Sequence, residues 1–151
     1  MRQGIAAMQA TGVKMTLPRM LAVLAEAHGH SGQAEEGLRL LAESLVMVDE
    51  TGERLYEAEQ WRIKGELLLQ QTIPDASQAE ACFQQALAVA RHQQARSWEL
   101  RAAMSLARLW QAQGKRAAAR ELLAPIYAWF TEGFDTADLQ EAKALLEELG
   151  K

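Results

Sequence analysis

Few side chains in this sequence could do chemistry, and their spacing limits what each could do. The histidines are His28, His30 and His92. His28 and His30 stand two apart, so on a helix they face different directions and do not converge on a metal. His92 is remote from both. Carboxylates occur as neighbours, Glu35-Glu36 and Glu147-Glu148, in stretches that read as exposed helix and supply no opposed acid and base. No serine has a histidine and an acid in a pattern suited to nucleophilic attack. The single thiol, Cys82, lies in the apolar pattern AEACFQQAL and reads as a packed, reduced cysteine that can form no disulfide within the chain. These residues predict no catalytic, metal or cofactor site, so the expected protein is not an enzyme.

Charge is the remaining chemical resource. The net charge is −4, but seven basic residues and one acid, Glu99, lie between Arg91 and Arg120, while the region from Glu35 to Glu66 is acid-rich. Such polarity can steer a partner. The basic stretch lacks interleaved exposed aromatics and the chain as a whole is acidic, so nucleic acid is not the expected partner.

The elements that hold these charges are helices. Hydrophobic residues make up 49% of the 151-residue chain and charged residues 24%, enough for one domain with a core. Ala, Leu, Glu, Gln and Arg dominate, and Val and Ile are scattered, so helix is favoured and no strand emerges. The longest apolar runs are a few residues, such as Leu67-Leu68-Leu69, far below the ~20 that span a bilayer. The N-terminus is too short and polar for a signal peptide. A cytoplasmic setting without membrane contact follows as the expectation.

The helices repeat. LAEAHGHSGQAEEGLRLL, residues 24–41, aligns without gaps on LARLWQAQGKRAAARELL, residues 106–123, matching Leu24, Ala25, Gly32, Leu40 and Leu41 to Leu106, Ala107, Gly114, Leu122 and Leu123. The offset is twice 41, and a middle copy lies between, at residues 61–87, with Gly65, Ala79 and Phe83 in the equivalent places. Each copy reads as two helices around a tight turn, with Gly32 and Gly114 as left-handed turn residues. Pro18 suits a first helical turn. Ser77 with Glu80 fits a capping box, and Asp135 or Thr136 can cap a last helix. Small residues are expected to meet across each pair: Ala25 with Gly37, Gly65 with Ala79, and Ala107 with Ala119. The expected organisation is one domain: a truncated repeat helix over 1–12, repeats over 13–52, 53–93 and 94–131, and a capping helix over 132–151. That gives eight helices and no sheet. Trp98, Trp129, Phe130 and Phe134 form an aromatic-rich end, expected either to be buried beneath the last helix or to serve self-association through an open repeat end.

The pattern resembles the tetratricopeptide repeat (TPR). The middle copy is nearest, with Trp61, Gly65, Leu68, Ala79, Phe83 and Ala86; the first uses Leu21, Leu24, Ala25, His28, Gly37, Leu41 and Ser44, the third Ala103, Leu106, Ala107, Trp110, Ala119, Leu123 and Ile126. Lys64 stands where the family has Leu, the closing Pro is missing from every copy, and the period exceeds the family's. The resemblance implies an all-α, α-α superhelix of about three TPR-like helix pairs. More narrowly, GERLYEAEQWRIKGELLL and the stretches after it resemble the C-terminal helical-repeat region of large bacterial signalling ATPases, of the adenylate cyclase-linked or transcriptional-regulator type. No GxxxxGK[ST] occurs here, so ATP binding does not carry over.

In arrays of this class the first helix of each pair lines a groove. The residues expected there are Arg19, Glu26 and His30, then Glu59, Arg62 and Glu66, then Arg101, Met104, Arg108 and Gln111. The repeat proteins that clamp a C-terminal carboxylate use Lys and Asn where this chain has Ala22 and Glu26, which argues against that ligand. The expected function is a non-catalytic scaffold that binds a protein or peptide in its groove, as the sensor arm of a signalling ATPase, with a small-molecule inducer-sensing module as the alternative. Replacing Arg101 and Arg108 together by Glu is expected to weaken binding and spare the fold.

Overall fold

The computed structural model describes residues 17–52, 54–133 and 136–150. Among them the chain forms seven α-helices and no strand: α1 (Leu17–His30), α2 (Ala34–Thr51), α3 (Glu57–Gln70), α4 (Ala76–His92), α5 (Arg96–Ala112), α6 (Arg116–Ala128) and α7 (Ala137–Leu149). The helix expected over residues 2–11 lies outside the described residues. Each helix packs on its successor. The odd-numbered helices also pack on one another, α1 on α3, α3 on α5 and α5 on α7, whereas α2, α4 and α6 do not meet among the described residues. The row whose members touch lies inside the bend, so α1, α3, α5 and α7 line the concave face. This is the all-α superhelix expected from the sequence.

Local chemistry explains the turns. Gly32 and Gly114 both adopt the left-handed conformation, φ 79° and 78°. The next N–H closes each turn: Gln33 donates to the His28 carbonyl and Lys115 to the Trp110 carbonyl, both at 2.8 Å. This is the Schellman arrangement. The link from α4 to α5 has the same geometry, with Ala95 N–H donating to the Ala90 carbonyl at 2.8 Å. There the left-handed residue is Gln94, φ 55°. The sequence places a repeat boundary here, at 93/94, but does not mark the turn residue, because glycine is absent from it.

Caps follow position rather than motif alone. α4 is capped by Asp75, whose Oδ1 accepts from Gln78 N–H at 3.0 Å. The expected Ser77–Glu80 box does not form, because Ser77 already lies inside the helix. Glu80 Oε1 is used elsewhere, accepting from Trp110 Nε1 at 3.0 Å and so tying α4 to α5. Thr136 is the N-cap of α7; Asp135, the other candidate, lies outside the described residues.

The core divides at α3. Ile63 and Leu67 join an aliphatic cluster with α1 and α2, including Leu21, Leu24, Leu40 and Leu41. Leu68 joins a larger cluster reaching α7, centred on Phe83, Leu100, Leu106 and Leu123. Small residues set the close approaches. A Cβ on Gly37 would lie 2.7 Å from the Ala25 carbonyl oxygen, as expected for that pair. At Gly65 the missing Cβ leaves room for the Phe83 ring, 2.4 Å from where that Cβ would stand. The ring occupies the space that glycine opens.

The aromatic end is not one cluster. Trp98 packs edge-on to Tyr56, with ring centroids 5.6 Å apart. Trp129 packs edge-on to Phe130 at 5.2 Å and lies under the Arg96 guanidinium at 4.9 Å. Trp129 is 55% exposed, so it is not buried beneath α7. Phe134 lies outside the described residues.

Candidate functional site on the concave face

The concave face is built from residues a helical turn or two apart on each inner helix. Glu26 and His30 lie on α1, Glu59, Arg62 and Glu66 on α3, and Arg101 and Arg108 on α5. Stacking of the inner helices brings opposite charges together across about one repeat period. Arg62 Nη2 lies 2.8 Å from Glu59 Oε2 and 3.1 Å from Glu26 Oε2, the latter across the α1–α3 interface. Arg101 Nη1 reaches Glu59 Oε1 at 3.1 Å across α3–α5. Its Nε faces Asp138 Oδ1 at 3.8 Å across α5–α7. The result is a ladder of alternating sign, Glu26–Arg62–Glu59–Arg101–Asp138, that crosses all four inner helices.

Burial fixes what this ladder can do. Glu59 is 1% exposed and Arg62 8%. Burial alone would lower the Arg62 pKa, but the hydrogen bond and charge of Glu59, with the charge of Glu26, outweigh it and raise the pKa above the ordinary arginine value. Arg62 donates from both Nε and Nη2 to Glu59 Oε2, at 3.0 and 2.8 Å. Glu59 Oε1 accepts no hydrogen bond and is neutralised by Arg101 as an ion pair. Burial, with the charge of Glu59 second, likewise pushes the Tyr56 phenol up. Arg19 lies over the Tyr56 ring, 5.1 Å from its centroid. Beside the ladder, Gln60 donates to Ser44 Oγ and Ser44 Oγ donates to the Pro18 carbonyl, a buried polar tie between α3, α2 and α1.

The expected groove set therefore splits. Glu26, His30, Arg62, Glu66 and Arg108 do converge, lining a concavity of about 200 Å³ together with Ile63, Leu67 and Gln70. Glu59 and Met104 are buried and do not line it, and Arg62 reaches it while 8% exposed. For these three the expectation of an open polar surface fails, because each inner helix is covered by the next. Arg19, Arg101 and Gln111 are also absent from its lining. Arg101 pairs with a buried carboxylate, so the expectation that Arg101→Glu spares the fold is corrected: the new carboxylate would face Glu59. Arg108 is different. Its Glu141 partner stands at 3.4 Å, and both side chains are about half exposed.

The sequence reading missed Asp138 and Glu141, which complete these pairs from α7, and Ile63, Leu67 and Gln70 in the lining. The signal that finds the pairs is opposite charge on inner helices about one period apart. Arg116 and Arg120 fall on convex α6, and Arg116 donates to the Glu148 carbonyl. Cys82 is buried, and burial raises its thiol pKa. Among the described residues no three His, Cys, Asp or Glu side chains are grouped to hold a metal, and no helix is long and apolar enough to cross a membrane. Compared with known proteins, the chain matches no family model and no curated relative.

Proposed function

We propose that this protein is a non-catalytic interaction scaffold of the tetratricopeptide-repeat type that holds a protein or peptide segment against its concave face. The observation that carries this reading is the concavity between α1, α3 and α5, lined by Glu26, His30, Arg62, Glu66 and Arg108. Its size favours a polypeptide over a small inducer. Pockets that enclose drug-sized ligands span roughly 300–1,000 Å³, whereas about 200 Å³ suits one or two side chains of a longer segment. The recurrence of one turn geometry at Gly32, Gln94 and Gly114 supports assignment to a repeat class.

A photo-crosslinking residue at His30 tests the binding reading, with the same residue at Arg120 on the convex face as control. The His30 probe is expected to capture a partner in the source cell that the Arg120 probe does not. Capture from Arg120 alone overturns the groove. The narrower reading, a cytoplasmic sensor arm of a signalling ATPase, rests on the sequence resemblance. Reading the genomic frame around this sequence tests it: an in-frame nucleotide-binding ATPase module is expected, and a free-standing frame overturns it.

A further inference from the structure

The charges on the concave face are unequally spent. Each arginine of the ladder and of the concavity already has a carboxylate. Arg62 is held by Glu59 and Glu26, Arg101 by Glu59 and Asp138, and Arg108 by Glu141. The acids are in excess. Among the described residues Glu66 has no ion pair and no hydrogen bond, although it is half-buried in the wall of the concavity. Glu26 hydrogen-bonds Arg62 through one carboxylate oxygen, Oε2. Ile63 and Leu67 are the apolar residues of the same lining, and Gln70 and His30 add polar ones.

From this charge complementarity we propose that the concavity is a socket for one basic side chain, a lysine or arginine of the bound polypeptide, with Glu66 as its primary carboxylate and Glu26 as the second. The proposal deepens the groove reading and rests on it. A long basic side chain suits the shape, since its methylene stem lies along apolar wall while its cationic head meets carboxylate. An acidic side chain would meet Glu66 and Glu26 and would have to displace Glu141 from Arg108. The partner segment is thereby narrowed to one that presents a basic side chain here.

The test uses random peptides displayed on phage, selected against the whole chain at low ionic strength. Selected peptides are expected to be enriched in Lys and Arg and to shift amide resonances of Glu66, Gln70 and His30. Replacing the basic residue of a selected peptide by Gln is expected to weaken binding about tenfold or more, the range for a charge-assisted hydrogen bond. Glu66→Gln in the protein should weaken it similarly, with its melting temperature unchanged. The two changes together should cost little more than either alone, because they remove the same contact. Peptides that shift the concave resonances without dependence on a basic residue or on Glu66 overturn the socket and leave the groove standing. Peptides that shift only α2, α4 and α6, or failure to select any peptide, overturn both.

Discussion

The concave and convex sides of this molecule carry the same kinds of ion pair in opposite circumstances. On convex α2, Arg39 pairs with Glu36 and with Glu43, at 2.5 and 2.9 Å, closer than some contacts of the inner ladder. Yet the side chains of all three are a third to a half exposed. On the concave side, Glu59 and Arg62 are almost fully removed from water. Distance alone would rank the convex pairs equal or better. Burial reverses the ranking: an exposed pair is screened and gains little, whereas a buried charge that loses its partner is left uncompensated. The difference teaches that a charged residue on the concave face of a repeat array need not be waiting for a ligand.

Removal of Glu59 should have the largest effect. Glu59→Ala leaves Arg62 with Glu26 alone and strips Arg101 of its buried partner, so it should cost about 3–5 kcal/mol, read by urea denaturation. A cost near that of a surface pair would show that water reaches the ladder and would erase the contrast. Next comes the contact between the inner and outer rows. Gly65→Ala places a Cβ against the Phe83 ring and should cost about 1–3 kcal/mol by overpacking. An unchanged melting temperature would mean that α3 and α4 can part freely.

The junction from convex α4 to concave α5 should respond in the other direction. Gln94→Gly relieves a left-handed non-glycine residue at a turn whose two counterparts are glycine, and should stabilise by about 0.5–1 kcal/mol. A loss of stability would indicate that the Gln94 side chain contributes more than its backbone costs. The smallest effect is expected on the convex side. Arg39→Ala should cost about 0.2–1 kcal/mol, and less as salt is raised. A salt-independent cost as large as that of Glu59→Ala would collapse the comparison.

Most of the fold was legible in the sequence because it is local. Steps of three and four fix the helix faces, and Gly32 and Gly114 mark two turns in a form that only backbone geometry demands. What escaped was set by neighbours distant in the chain. Asp75 rather than Ser77 caps α4 because the helix begins two residues earlier than the motif suggests. Gly65 reads as a close helix contact, but the group that fills its space, Phe83, depends on how α3 and α4 align. In the candidate site, the placement of Glu26, His30, Glu66 and Arg108 around one concavity followed from helical spacing. The burial of Glu59 and Arg62 did not, because the helices that cover them lie about a repeat away, and a charged residue carries the same signature whether or not its neighbour shields it.

The packing of the odd-numbered helices on one another, and the separation of α2, α4 and α6, have a mechanical consequence. Treated as a beam, the array has its bonded fibres on the inner side and unbonded ones on the outer. Straightening it stretches the Glu26–Arg62 and Glu59–Arg101 rungs directly, while tightening its curl strains no contact between outer helices, because none exists among the described residues. Stiffness is therefore directional. A segment seated between α1, α3 and α5 would bear on the same fibres that resist straightening.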